Sequence, residues 1–181
     1  MKKTLLLAGL ITLSAAFSAA HAAVISGPFT YGGHTYVQIS SNTWSGAEAE
    51  ALTLGGHLAT VNDAAENAWI AATFPSTSSW GNWIGYNDVA VEGSFVWTSG
   101  ETPGYTNWAA GEPNDCCEGE DGVQMYADGS WNDLVDRPTD PLYAPPAVVE
   151  IAGVPEGGSA AAMLGAALVG IAGLRRKLKM A

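Results

Sequence analysis

The chain has 181 residues, 18 Asp and Glu against 7 Lys and Arg, and a formal net charge of −11; that is length for one ordinary domain. Placement matters more than the net, because residues 23–153 hold 17 of the acids and a single cation, Arg137. A nucleic-acid binder relying on a basic, phosphate-neutralising face is excluded, and salt bridges cannot be the main support of the domain.

In chain order, Lys2 and Lys3 precede an apolar stretch from Leu5 to Leu13, and Ala20-His21-Ala22 forms a small-x-small cleavage site before Ala23. Residues 1–22 therefore read as a signal peptide, which implies export into oxidising, calcium-replete surroundings. Residues 23–153 are expected to form the working domain. Tyr31 to Ile39 is rich in β-formers around a Gly32-Gly33 turn. Ser45 with Glu48 predicts a capping box for a first helix that closes at Gly55-Gly56. Asp63 with Glu66 repeats the signature, and Pro75 ends the second helix. Beyond Pro75 the composition shifts to Gly, Asn, Asp, Ser and Trp, with short strand candidates at Trp83–Tyr86, Phe95–Thr98, Val123–Tyr126 and Val148–Ile151. Two early helices followed by a long loop region pinned by short strands predict an α+β domain whose loops carry function.

A loop region of that length needs something to hold it. Between Glu112 and Asp140 nine carboxylates face Arg137 alone. Gathering several of them without a cation raises their pKa values and costs several kcal/mol. A hard divalent ion removes the conflict, and Ca²⁺ accepts six to eight oxygen ligands from irregular loops. Zinc is disfavoured: the domain offers only His34 and His57 as imidazoles, and Cys116 and Cys117 are adjacent, which is not a zinc-site spacing. The order Glu112-Pro113-Asn114, Glu120-Asp121, Trp131-Asn132-Asp133 sets acceptor carboxylates beside donor amides, Glu112 with Asn114 and Glu120 with Asn132. An ion held by those four and Asp133 leaves coordination positions that two adjacent sugar hydroxyls can fill, each also giving a proton to a Glu and accepting one from an Asn. A cis Glu112–Pro113 bond would aim both neighbours at one point.

These residues resemble the C-type lectin-like domain, in its mannose-type calcium-dependent subset. Trp44 to Ala49, Gly55 to Val61, Glu66-Asn67, Trp83-Ile84-Gly85, Asn107-Trp108, Gly111 to Asn114, Glu120-Asp121 and Trp131 to Asp133 carry the resemblance over about 125 residues. It implies the C-type lectin-like fold: two helices, short antiparallel strands and a long calcium-stabilised loop region. It implies a sugar-bearing Ca²⁺ site at Glu112, Asn114, Glu120, Asn132 and Asp133, the last also lending its main-chain carbonyl. It implies an auxiliary Ca²⁺ site at Asp88, Glu92, Asp115, Glu120 and Asp121. In the family it resembles, Glu-Pro-Asn goes with mannose, glucose, N-acetylglucosamine or fucose and Gln-Pro-Asp with galactose, so the resemblance implies mannose-, glucose- or fucose-type sugars here. The four cysteines of most animal members are missing, their places taken by Ala51, Gly122, Asp136 and Val149.

The C-terminal end, residues 154–181, carries an apolar run from Ala160 to Leu174 closed by Arg175-Arg176-Lys177. As a helix the run reaches about 22 Å, a marginal span. With Val154 to Ser159 ahead of it, the tail resembles the bacterial PEP-CTERM sorting signals, with Gly157 where the commoner form has Pro. This resemblance implies a bacterial protein exported through the inner membrane to the cell surface, outer membrane or extracellular matrix. Membrane contact would occur only through the tail before processing; a retained anchor is the other reading.

The combined expectation is a non-enzymatic, calcium-dependent lectin for a glycan or exopolysaccharide, with homo-oligomerisation as a route to avidity. The alternative is a calcium-stabilised protein- or surface-binding module. Glycoside hydrolysis by Glu118, Glu120 and Asp121 is disfavoured, since a calcium-bound carboxylate stays ionised and Glu118 has no evident partner. Trp44, Trp69, Trp83, Trp108 and Trp131 are assigned to packing, while Trp80 and Trp97 lack an assigned role and are open to sugar stacking. No catalytic role is assigned to His21, His34 or His57. Cys116-Cys117 is open to three readings: a redox-sensitive clasp, a passive oxidised ring, or two free thiols.

Overall fold

Each helix begins where a side-chain oxygen takes up its first orphan N–H groups. In the computed structural model, which describes residues 22–40, 42–76, 79–116, 119–136 and 145–153, α1 spans Trp44–Thr53 and α2 spans Ala64–Thr73. Asp63 caps α2, accepting from the N–H groups of Ala65 and Glu66, and α2 gives way at Phe74, before Pro75. The first capping box is a correction. Thr43, not Ser45, is the N-cap of α1, its side chain accepting from Gly46 N. The physical reason is distant in sequence: the Asp136 carboxylate accepts from Trp44 N at 2.8 Å and Ser45 N at 3.2 Å, which fixes the helix start earlier. Glu48 is then free to face the Leu58 N–H at 2.9 Å.

The strands are β1 (Val24–Tyr31), β2 (His34–Ile39), β3 (His57–Leu58), β4 (Asn82–Asn87), β5 (Val96–Trp97), β6 (Gly122–Met125), β7 (Trp131–Leu134) and β8 (Ala147–Ile151). They form one sheet in the order β1-β2-β8-β4-β6-β7, with β3 added on β8 and β5 on β4. All ladders are antiparallel except the short β4–β8 pairing at Trp83 and Ala147. Two helices with a mostly antiparallel sheet make the α+β class expected. β1, β3 and β7 had not been expected as strands. The expectations for residues 1–21 and 154–181, and for Cys117 and Glu118, lie outside the described residues. Among the described residues no helix is long and apolar enough to cross a membrane.

The central strands of the sheet are buried on both faces, whereas edge strand β1 is largely exposed. On one side Tyr36, Ile70, Phe74, Ile84, Tyr86, Trp97, Val123, Met125, Trp131 and Val148 share a cluster. On the other, Val37, Ile39, Trp44, Ala47, Ala51, Leu58, Trp83, Leu134, Ala147 and Val149 share a second. Trp97 belongs to the first core, 2 % exposed with its ring centroid 4.5 Å from that of Tyr86, so it is no sugar-stacking platform. Trp80 packs against the second cluster. The positions where the family commonly has cysteine are filled by other contacts. Ala51 and Val149 lie together in the second cluster, Gly122 leaves room for the Trp44 indole, and Asp136 holds the start of α1.

Candidate functional site

The loop between β5 and β6, with β7 beside it, carries the acidic residues. Two structural anchors set their position. Trp131 at the start of β7 is fully buried, and its indole N–H donates to Asn67 Oδ1 at 2.8 Å. Its backbone closes the loop, since Trp131 N donates to Asn107 O and Ala109 N donates to Trp131 O, both at 2.8 Å. Asn132 and Asp133 are therefore delivered by a rigid strand to a loop pinned on both sides of Trp108.

Asp133 is the hub. It is 1 % exposed, and its carboxylate accepts from Asn114 N at 3.0 and 3.1 Å and from Asp115 N at 2.8 Å. The Glu112–Pro113 bond is cis, and the Asn114 side-chain amide donates to Glu112 Oε2. Asp115 takes a left-handed backbone, φ 46°, a conformation that Asp tolerates better than most residues. The next N–H, that of Cys116, donates back to Asn114 Oδ1 at 2.8 Å and to Glu120 Oε2 at 3.0 Å. Glu120 N in turn donates to Asp115 Oδ1 at 3.1 Å. The Asn132 amide donates to the main-chain carbonyl of Asp133. Glu112, Asn114, Glu120, Asn132 and Asp133 thus form one linked cluster. The expected pairing of Glu112 with Asn114 is present; Glu120 and Asn132 do not bond each other.

Beside it lies a second acidic group. Asp88 is 1 % exposed; its Oδ2 accepts from Gly93 N at 2.8 Å, while Oδ1 has no hydrogen-bond partner. Asp88 N donates to Asp121 O at 3.2 Å. Partial desolvation, then the charges of Asp88, Asp115 and Asp121, raise the Glu92 carboxyl. Burial first, then Asp88, Asp115 and Asp136, raise Asp121. The structure brings Asp88, Glu92, Asp115 and Asp121 into one field.

The electrostatics of the first cluster has the same sense. Burial, reinforced by Asp133, Glu112 and Asp115 and opposed by the Cys116 N–H, pushes Glu120 up to about 7. Burial and then Asp133 raise Glu112, against the Asn114 amide. These are carboxylates crowded with no compensating positive charge. A hard cation suits such a set: every donor is oxygen, and a buried Asp88 oxygen is left without a partner, which costs about 1–3 kcal/mol while it stays so. Among the described residues no three His, Cys, Asp or Glu side chains already stand in metal-holding geometry.

Two contributions to the site carry no side-chain signal in the sequence. Cys116, disulfide-bonded and exposed, acts through its backbone N–H, which no side-chain pattern signals. Tyr126 follows β6 and feels Glu112 and Glu120; burial first, then those charges, raise its phenol.

Residues 40–140 match the family described as the lectin C-type domain. The chain belongs to the C-type lectin domain family. Among its relatives, lectin BRA-3 of Megabalanus rosa is 34% identical over 108 residues, 57% of this chain and 65% of that protein. The chain spans only 29% to 65% of the length of such curated relatives. The carbohydrate-recognition domain of cow CD23, solved in the presence of a GlcNAc2Man3 oligosaccharide, superposes with a TM-score of 0.61 at 26% identity, covering 69% of this chain and 92% of that one. A calcium-independent type II antifreeze protein superposes with a TM-score of 0.60 at 26% identity, covering 74% and 99%.

Proposed function

We propose that this C-type lectin domain binds carbohydrate in a calcium-dependent way at the Glu112, Asn114, Glu120, Asn132 and Asp133 cluster, with mannose-, glucose- or fucose-type sugars preferred. The observation that carries the reading is the acceptor–donor pair across Pro113: the Glu112 carboxylate and the Asn114 amide meet beside Asp133, whose carboxylate fixes both Asn114 and Asp115 backbones. A carboxylate next to an amide supplies one acceptor and one donor, which suits the paired hydroxyls of a sugar ring.

Glu112, Asn114, Glu120, Asn132 and Asp133 would hold a Ca²⁺ ion, and Asp88, Glu92, Asp115, Glu120 and Asp121 an auxiliary one. When bound, the first ion supplies coordination positions that two adjacent sugar hydroxyls can fill. Glu112 and Glu120 accept the hydroxyl protons, and the Asn114 and Asn132 amides donate to the hydroxyl oxygens. Asp133 keeps the Asn114 and Asp115 backbones in place while the guest binds, and the Cys116 N–H does the same for the Asn114 and Glu120 side chains. The sugar relatives support this reading. The function is binding without bond chemistry, at about millimolar Kd per domain, so homo-oligomers on a glycan or exopolysaccharide would add avidity.

The same proposal extends to the ends of the chain: export with loss of residues 1–22, and sorting of residues 154–181 at a bacterial surface or matrix. A glycan array run in calcium and again in EGTA tests the function. Calcium-dependent signals on mannose-type glycans support it. Signals that persist without calcium, or a blank array with binding to protein or surfaces instead, reject it; the antifreeze neighbour shows that the fold also occurs in a calcium-independent protein.

A further inference from the structure

We infer that Gln124 is a positioning residue for the sugar site: its side-chain oxygen accepts one hydrogen of the Asn132 amide and so sets the direction in which that amide meets a sugar. The inference rests on the calcium and sugar reading above and deepens it.

It starts from a buried amide with nothing to bond. Gln124 lies within β6 and is 0% exposed, yet neither its Oε1 nor its Nε2 has a hydrogen-bond partner among the described residues. Such a group is costly to bury, and each case in a folded protein calls for a reason. Val123, Met125 and Trp131 belong to the first core cluster, so alternation along β6 puts Gln124 on the opposite face.

Its neighbours on that face are few. Register sets Trp83 of β4, Gln124 of β6 and Asn132 of β7 in one row. The Trp83 indole N–H already donates to Asn42 O at 3.0 Å. Gly122, two residues back along β6, has no side chain. Two polar neighbours remain. Asn132 stands directly across the ladder, where facing Cβ atoms are about 4.5–5.5 Å apart. Tyr126 follows two residues on, and the Gln124 amide is close enough to its phenol to oppose the rise caused by burial and by Glu112.

Asn132 has a use for such a neighbour. Its amide donates to the main-chain carbonyl of Asp133, the carbonyl that the proposed site gives to the ion. If Asp133 O is to serve the ion and Asn132 Nδ2 a sugar hydroxyl, that bond has to be given up. An amide nitrogen carries two hydrogens. One can go to the sugar and the other to Gln124 Oε1, the unused acceptor in the same row. Gln124 Nε2 can then donate to the Tyr126 oxygen, so both ends of the orphaned amide are satisfied by the arrangement that binds sugar.

The test compares Gln124→Met, a swap of similar size, with the parent chain. In EGTA its Tm should be unchanged or higher, because an apolar side chain replaces a buried amide that no protein group satisfies. In calcium, the Kd for Ca²⁺ by calorimetry should weaken about tenfold, and retention on mannose resin at saturating calcium should be lost. Adding Gln124→Met to Asn132→Ala should weaken calcium binding no further, since Gln124 acts through Asn132. NMR of the unsubstituted chain gives a readout that no variant's folding can obscure: the Gln124 and Asn132 side-chain amide signals should shift together when mannose is added in calcium. A lower Tm in EGTA with an unchanged calcium Kd would make Gln124 a packing residue and overturn the inference, as would a further tenfold loss in the double variant or a Gln124 signal that stays put. A parent that binds no calcium would remove the sugar reading itself, whereas a parent that binds and a Gln124→Met variant that binds equally well would remove this inference alone.

Discussion

Asp136 makes a contact whose loss should be measurable, because it joins the start of α1 to the chain just after β7, the strand that bears Asn132 and Asp133. Its two oxygens accept from Trp44 N at 2.8 Å and Ser45 N at 3.2 Å. Those are two of the four N–H groups that a helix start leaves without intrahelical partners; Thr43 takes a third, from Gly46 N at 3.0 Å. A hydrogen bond to a charged group contributes roughly 1.5–3 kcal/mol, and an anion at a helix N-terminus about 0.3–1 kcal/mol. Asp136 is half-buried and its second bond is long, so water replaces part of what is lost. Asp136→Ala should therefore cost about 2 kcal/mol, near the upper end for losing a cap, which for a domain of this size is roughly 6–10 °C in Tm. Asp136→Asn keeps one accepting oxygen and should cost about half as much. Urea unfolding followed by tryptophan fluorescence, in saturating calcium, measures both. If Asp136→Ala unfolds within about 0.5 kcal/mol of the parent, this carboxylate does not take the place of a covalent tie, and the account of how the fold manages without the family's disulfides is wrong.

Other expectations follow from the same contacts. Exchanging acceptor and donor with Glu112→Gln and Asn114→Asp should move the ranking on a glycan array from mannose toward galactose; an unaltered ranking counts against the hydroxyl geometry. Calcium at a hundred times its Kd should stabilise the fold by about 2.7 kcal/mol, so chelation should lower Tm by several degrees in a thermal melt, and a melt insensitive to EGTA would show that the acidic loops bind no ion. Intact mass of the exported protein should lack residues 1–22; a tail that persists beyond Ser159 argues for a retained anchor over sorting.

What could be read from the sequence and what could not divides along physical lines. Asp63, Glu66 and Pro75 are local signals, and α2 begins and ends where they place it. Glu112-Pro113-Asn114 is likewise local, and the structure puts the carboxylate and the amide together. β7 reads Trp131-Asn132-Asp133-Leu134, with two adjacent polar residues and no period-2 alternation although all four are buried, so nothing local marks it as a strand. β3 is two residues long, too short for any period. The start of α1 was misassigned because its decisive partner, Asp136, is 92 residues away.

The most direct measurement is retention of the purified chain on mannose resin. If the loop oxygens and two sugar hydroxyls share one divalent ion, the protein should stay on the column in millimolar calcium and leave when EGTA is added, with Asp133→Ala failing to bind at all. Retention that survives the chelator would contradict the account.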